Sequence, residues 1–184
     1  FQLWKSQYHD AKLLAVLIFE YKQMTFDDIN LLIKDVISWD LCNHLCKNLI
    51  IKIKGYQLLI PQWVTSQHIY VKRAAFVLLA CDVIHNKNIL DSTLDTYLHF
   101  IRDYSHDEHI HIKKAISTAL KEIGKKDFDY HEKALLLSYE LIQDGDKVQR
   151  WIANDAKKEL EKLVKVQGRS RLISRHSLMG KEEH

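Results

Sequence analysis

The sequence predicts an all-α protein, a solenoid of antiparallel helix pairs over residues 1–166 followed by a basic tail over 167–184. Three observations predict it. Turn chemistry is scarce, with one proline, Pro61, and five glycines in 184 residues, far short of what an all-β chain needs. Apolar residues recur at helical spacing rather than in alternation. A weak internal repeat runs through the middle of the chain: Lys72-Arg73-Ala74-Ala75 and Lys113-Lys114-Ala115-Ile116 lie 41 residues apart, and Asp155-Ala156 follows 41 residues later.

That period matches the ~40–47 residues of HEAT-type helix pairs, so the expected class is a HEAT-like repeat. Helices are predicted at 7–22, 26–36, 39–49, 56–65, 68–84, 91–103, 107–123, 130–143 and 147–165. The first carries an apolar stripe of Leu13, Leu14, Leu17, Ile18 and Tyr21. Helix 68–84 carries Ala75, Leu78 and Leu79, and helix 107–123 carries Ile112, Ala115, Ile116, Ala119, Leu120 and Ile123. Ser92-x-x-Asp95 and Ser105-x-x-Glu108 place a hydroxyl acceptor and an acid where a helix start leaves N–H groups open. Gly124 and Gly145 sit where helices should stop.

Composition narrows the class. With 47% hydrophobic and 28% charged residues the chain has enough apolar surface to fold. Its longest apolar run, Leu13–Phe19, falls short of the ~18–20 residues of a membrane span, so no membrane partner is expected. Phe1–Lys12 does not read as an intact signal peptide, and further N-terminal sequence is expected ahead of it. Three cysteines, Cys42, Cys46 and Cys81, are an odd set for a disulfide framework and suit buried core thiols in a reducing cytoplasm. Cys42 and Cys46 stand one turn apart, but no second ligand pair follows, and no metal or other cofactor is expected.

Charge is unevenly spread. Residues 1–146 hold 17 Lys/Arg against 19 Asp/Glu, net −2, whereas residues 147–181 hold 10 against 3, net +7. A basic segment of that kind suits a polyanion, because cations that neutralise phosphates release condensed counterions, although a solvated helix face has the same composition. The repeat adds a candidate site: it stacks Asn43, Arg73 and Lys114 on neighbouring helices, with Trp39 and Thr118 one turn away. Indole, guanidinium and ammonium groups together suit a nucleic-acid backbone; the alternative is a core tryptophan beside solvated cations.

Leu3-Trp4-x-Ser6-x-x-His9-Asp10-x-Lys12, Trp39-Asp40-Leu41-Cys42-Asn43, Lys72-Arg73-Ala74-Ala75-Phe76 and Ile112-Lys113-Lys114-Ala115-Ile116 occur in this order through most of the chain. Together they resemble the AlkD-like DNA alkylation repair family. The resemblance implies a HEAT-like solenoid that grips duplex DNA and releases N3- or N7-alkylated purines. It also implies a catalytic set of a Trp, an Asp four residues later, an Arg in the KRAA-type helix and a second Trp in the KAI-type helix. Trp39 and Arg73 match that set, but Asn43 stands at the Asp position and Thr118 at the second Trp position. A carboxylate would stabilise the positive sugar that forms as the base leaves; an amide carries no charge to do so. Asp40 reads as a helix-start acid rather than a substitute.

The expectation is therefore a monomeric DNA-binding member of the family, with base excision weak or absent and duplex DNA, damaged or branched, as partner. The phosphate-contacting residues would be Lys72, Arg73, Lys113, Lys114, Arg150, Arg169 and Arg171. The alternatives are an active glycosylase and a protein-interaction scaffold. His106-Asp107-Glu108-His109-Ile110-His111 has metal-ligand residue types but reads as a helix start, and Gly168–His176 reads as a tail that tracks phosphates or stays unfolded.

Overall fold

The computed structural model describes residues 1–182. They form ten α-helices and one two-stranded antiparallel sheet, in two compact units, 1–82 and 83–184. The predicted all-α class and nearly every predicted helix are present.

The first unit contains α1 (His9–Ile18), α2 (Phe26–Lys34), α3 (Trp39–Asn48), α4 (Leu59–Trp63) and all but the last turn of α5 (Ile69–His85). Thr25 starts α2 with a capping box: its hydroxyl accepts from the Asp28 N–H, and the Asp28 carboxylate accepts from the Thr25 N–H. Pro61 falls in the first turn of α4, where its missing N–H costs no helical bond. Ile29, Ile33, Leu41, Leu45, Ile60 and Phe76 are fully buried between these helices. Two contacts set the register of α1 against α3, His9 to Asp40 and His44 to the Leu13 carbonyl, each spanning 31 residues. Equal spans at successive turns mean that the two helices run parallel, with α2 as the return between them.

The second unit repeats the scheme with α6 (Asp91–Tyr104), α7 (Ile110–Gly124), α8 (Phe128–Gln143) and α9 (Lys147–Leu160). Asp127 caps α8, and Asp146 with Gln149 forms a capping box on α9. Asp95–Lys133 and Arg102–Glu140, both at 2.6 Å and both 38 residues apart, align α6 with α8. Ser117 donates to Asp155 at 2.6 Å, again over 38 residues, and aligns α7 with α9. The contacting span is three residues shorter than the 41-residue repeat seen in the sequence. Repeat-equivalent residues point the same way, so the side chain that faces back across the gap comes from a neighbouring turn. Gly124 closes α7 where a Cβ would lie 2.5 Å from Leu160 Cδ2 and 3.1 Å from Ala134 Cβ, so the helices approach there because the side chain is absent.

Several expectations need correction. Ser105 does not cap α7; it ends α6, where its buried hydroxyl donates to the Arg102 carbonyl and accepts from Gln149 Nε2. His109 caps α7 instead, its Nδ1 accepting from the His111 N–H. Ser92 lies inside the first turn of α6, behind Leu90 at the cap position. In each case a polar residue near a helix end competes for bonds that tertiary packing decides. Helix α9 stops at Leu160 rather than 165, because the next residues pair: β1 (Leu163–Val164) runs antiparallel to β2 (Ile173–Ser174).

This hairpin straddles residue 166, so the described part of 167–184 packs as an integral piece of the second unit and not as a separate tail; Glu183 and His184 lie outside the described residues. Gly168 takes the turn with φ of 79°, and Val166 and Leu172 are buried. Leu172 N–H donates to the Lys125 carbonyl, and a short α10 (Leu178–Lys181) follows. The hairpin is fastened by Arg171, which donates to the Val83 carbonyl at 2.9 Å and to both the carbonyl and the carboxylate of Glu122 at 2.8 Å. Burial pulls its guanidinium below the ordinary value, and Glu122 works in the opposite direction. Among the described residues no helix is long and apolar enough to cross a membrane.

Removing a part-buried cation strands its acceptors. Arg171→Ala should therefore lower the unfolding free energy by roughly 2 kcal/mol or more in urea denaturation, a shift of about 5 °C in Tm for a domain of this size.

Candidate nucleic-acid interface

The first unit holds three of the five residues singled out for the site, Trp39, Asn43 and Arg73. Ser38, with extended backbone, starts α3, so Trp39 is its first residue and Asn43 stands one turn further along the same face. Arg73 reaches them from α5. Its Nη2 donates to Asn43 Oδ1 at 3.0 Å across 30 residues of sequence. Arg73 is only 7% exposed, whereas Trp39 beside it is 53% exposed. A buried guanidinium thus meets a neutral amide that lies one helical turn from an exposed indole.

Around this pair the chemistry is polar and acidic on one side and apolar on the other. Asp40 meets His9 at 2.7 Å. Its carboxyl is held down to about 2 from an ordinary 3.8, first by the Ser38 hydroxyl and then by His9, with burial opposing both. Asp40 therefore serves as a first-turn acid of α3 whose bonds point toward α1. On the other side Cys42, Cys46 and Cys81 are buried free thiols. Burial, then the neighbouring Cys42, pushes the Cys46 thiol well above its ordinary value, which makes it a core residue and not a thiolate. Among the described residues no three His, Cys, Asp or Glu side chains gather as metal ligands.

Lys114 and Thr118 belong to the second unit, on α7, and both are exposed. The Thr118 hydroxyl donates to the Lys114 carbonyl at 2.9 Å, a bond within its own helix that leaves only the short side chain at the surface. Lys113 lies with its Nζ 4.8 Å from the ring centre of Trp151. Trp151 is an exposed indole that sequence reasoning passed over; the signal that could have found it is its position 38 residues after Lys113, the contact span of this unit. Arg150 is exposed, its Nε directed at the Asp146 carbonyl at 3.3 Å. Arg169 is exposed on the hairpin with Nη2 3.1 Å from Met179 Sδ. Lys72 is half-buried on α5. Arg171 stands apart from the rest of the basic set, because its donors are committed inside the unit.

Further along α7 and α9 the charges are paired. Lys121 meets Asp155 at 2.8 Å, and Lys125 meets Glu159 at 2.6 Å. Burial opposes the ionisation of Asp155 and Glu159, yet their lysine partners outweigh it and hold both carboxyls below their ordinary values. The acids of α9 are thus neutralised at its C-terminal end, and the cations at its N-terminal end face solvent.

A family model described as DNA alkylation repair enzyme matches residues 1–160. A solved structure is similar with a TM-score of 0.67 at 17% identity, over 99% of this chain and 71% of that one; it is described as a new family of proteins related to the HEAT-like repeat DNA glycosylases with affinity for branched DNA structures. At that identity the likeness is one of fold, and it makes the helix-pair architecture HEAT-like. No curated protein matches the chain.

The Asp40 geometry has a measurable consequence. A carboxyl whose folded pKa lies below its unfolded value adds stability that is complete above about 4 and is lost as pH falls toward about 2. A carbon-13 NMR titration should find Asp40 ionised down to about pH 2, and His9→Ala should move the midpoint only part of the way up toward 3.8, since the Ser38 hydroxyl remains. An unmoved midpoint would remove His9 from the network.

Proposed function

The chain belongs to the DNA alkylation repair enzyme family, and from that premise we propose that it is a DNA-binding protein whose release of alkylated purines is weak or absent. The observation that carries this reading is the Arg73–Asn43 pair. In the family resemblance the residue at position 43 is the carboxylate that faces the departing base. Here it is an amide whose oxygen already accepts a guanidinium proton. As the N-glycosylic bond breaks, positive charge builds on the sugar, and a fixed anion nearby lowers that barrier far more than an amide dipole can. Loss of one such electrostatic element costs ~10²–10³-fold in rate. Thr118, on α7 of the second unit, has no aromatic ring, and its hydroxyl is turned onto its own helix.

Binding rests on different residues. Lys114 and Arg150 are exposed cations, suited to phosphate oxygens and indifferent to sequence. The affinity of the structurally similar protein for branched DNA supports DNA as the partner, damaged or branched duplex being the form expected here. Arg73, being buried, holds α3 to α5 as well as facing the site, so its replacement reports on folding and binding together.

Two measurements test the reading. Base release from methylated duplex should stay near the spontaneous rate for the chain as it is. It should rise by about ten-fold or more in Asn43→Asp, which restores the anion. Robust release by the unaltered chain would defeat the proposal. Duplex affinity should fall steeply with salt, and Lys114→Ala or Arg150→Ala should each reduce the logarithmic salt slope by about one. A flat salt dependence would point to a protein-binding scaffold instead.

A further inference from the structure

We propose that Trp151 is a stacking residue for unpaired nucleotides, which gives this chain a preference for DNA with unstacked bases over intact duplex; the inference rests on the DNA-binding reading above. Trp151 projects from the first turns of α9 and is 37% exposed, whereas Trp4 and Trp63 are buried and hydrogen-bonded to Asp35 and Asn30. Its side chain fills no core position. One turn before it on α9 lies exposed Lys147, and beside it exposed Arg150. From α7, Lys113 reaches over the ring at 4.8 Å, and exposed Lys114 follows on the same helix.

Two acids of α9 and its start have partners of their own. Asp146 accepts the Val148 and Gln149 N–H groups at the start of α9, and Asp155 takes Ser117 and Lys121. The patch is therefore an aromatic face with Lys113 over it and the exposed cations Lys114, Lys147 and Arg150 on the same two helices. That combination fits one ligand chemistry. Cations alone hold any phosphate backbone, but an indole in their midst gains only from a base whose π-face is open. In intact duplex every base face is covered by its neighbour. At a gap, a branch or a single strand it is not. The ammonium of Lys113 holds the indole in place when DNA is absent and is available to a phosphate when a base takes its position over the ring.

The test compares three DNAs of equal length on the full chain at one salt concentration: intact duplex, the same duplex with a single-stranded gap, and the single strand. Fluorescence anisotropy should show gapped and single-stranded DNA bound more tightly than duplex. Trp151→Ala should lose roughly ten-fold on those two, the size of one stacked base, and less than about two-fold on intact duplex. Trp151→Phe, which keeps a ring, should retain most of the difference and guards against a loss that comes from misfolding, which circular dichroism of both variants checks. Lys114→Ala should weaken all three DNAs alike. Equal losses of Trp151→Ala on all three, or none, would overturn the stacking role and leave DNA binding standing. Failure of the unaltered chain to bind any of the three would overturn both.

Discussion

The constraint on which the rest of the structure depends is a fixed register between alternate helices. Each helix is apolar along one stripe and cannot bury it alone, so every second helix lies alongside the one before it. In the first unit the side chains that meet across this seam are 31 residues apart for α1 and α3, as with His9 and Asp40. In the second they are 38 apart for α6 with α8 and for α7 with α9. Once that register is set, the position of each surface group follows from its helix turn. Asn43 meets Arg73 for this reason, and Lys113 meets Trp151. A slip of one residue would rotate a helix by about 100° and carry its buried stripe into water.

The same register explains what could be read in advance. Helix positions were legible because stripes such as Ile112, Ala115, Ile116, Ala119 and Ile123 fit only one period, and all five are buried. The Asn43–Arg73 contact was legible because the two residues occupy comparable points on successive repeat units. Helix starts were less so: Thr25, Asp127 and Asp146 do the capping, while Ser92 and Ser105 do not, since a serine near a helix end is decided by what packs over it. Arg171 was illegible as an internal anchor. Its partners are 88 and 49 residues distant, and a basic residue among other basic residues carries no local sign that a carboxylate waits for it inside.

The chemistry of the candidate site turns on one atom type. A carboxylate and a carboxamide at position 43 have nearly the same shape, and either oxygen accepts the Arg73 proton at 3.0 Å. Packing is therefore indifferent to the exchange, and the α3–α5 seam is kept. Net charge is not. With Asp the guanidinium would meet a negative oxygen at position 43; with Asn it meets a neutral one. The exchange thus alters the electrostatics of the α3–α5 seam and leaves its geometry in place.

The strap formed by Arg171 carries a consequence for how the chain matures. It joins residue 171 to Val83 and to Glu122, across 88 and 49 residues of sequence. Closing so long a loop is slow compared with forming the local helix pairs, and contacts of high sequence separation come late in folding. The local helix pairs from α6 to α9 can form before the strap closes over the Val83 and Glu122 carbonyls. The hairpin is thus the latch of the second unit: when it opens, the Val83 and Glu122 carbonyls lose their donor and the buried Val166 and Leu172 meet water, where proteases can reach the chain.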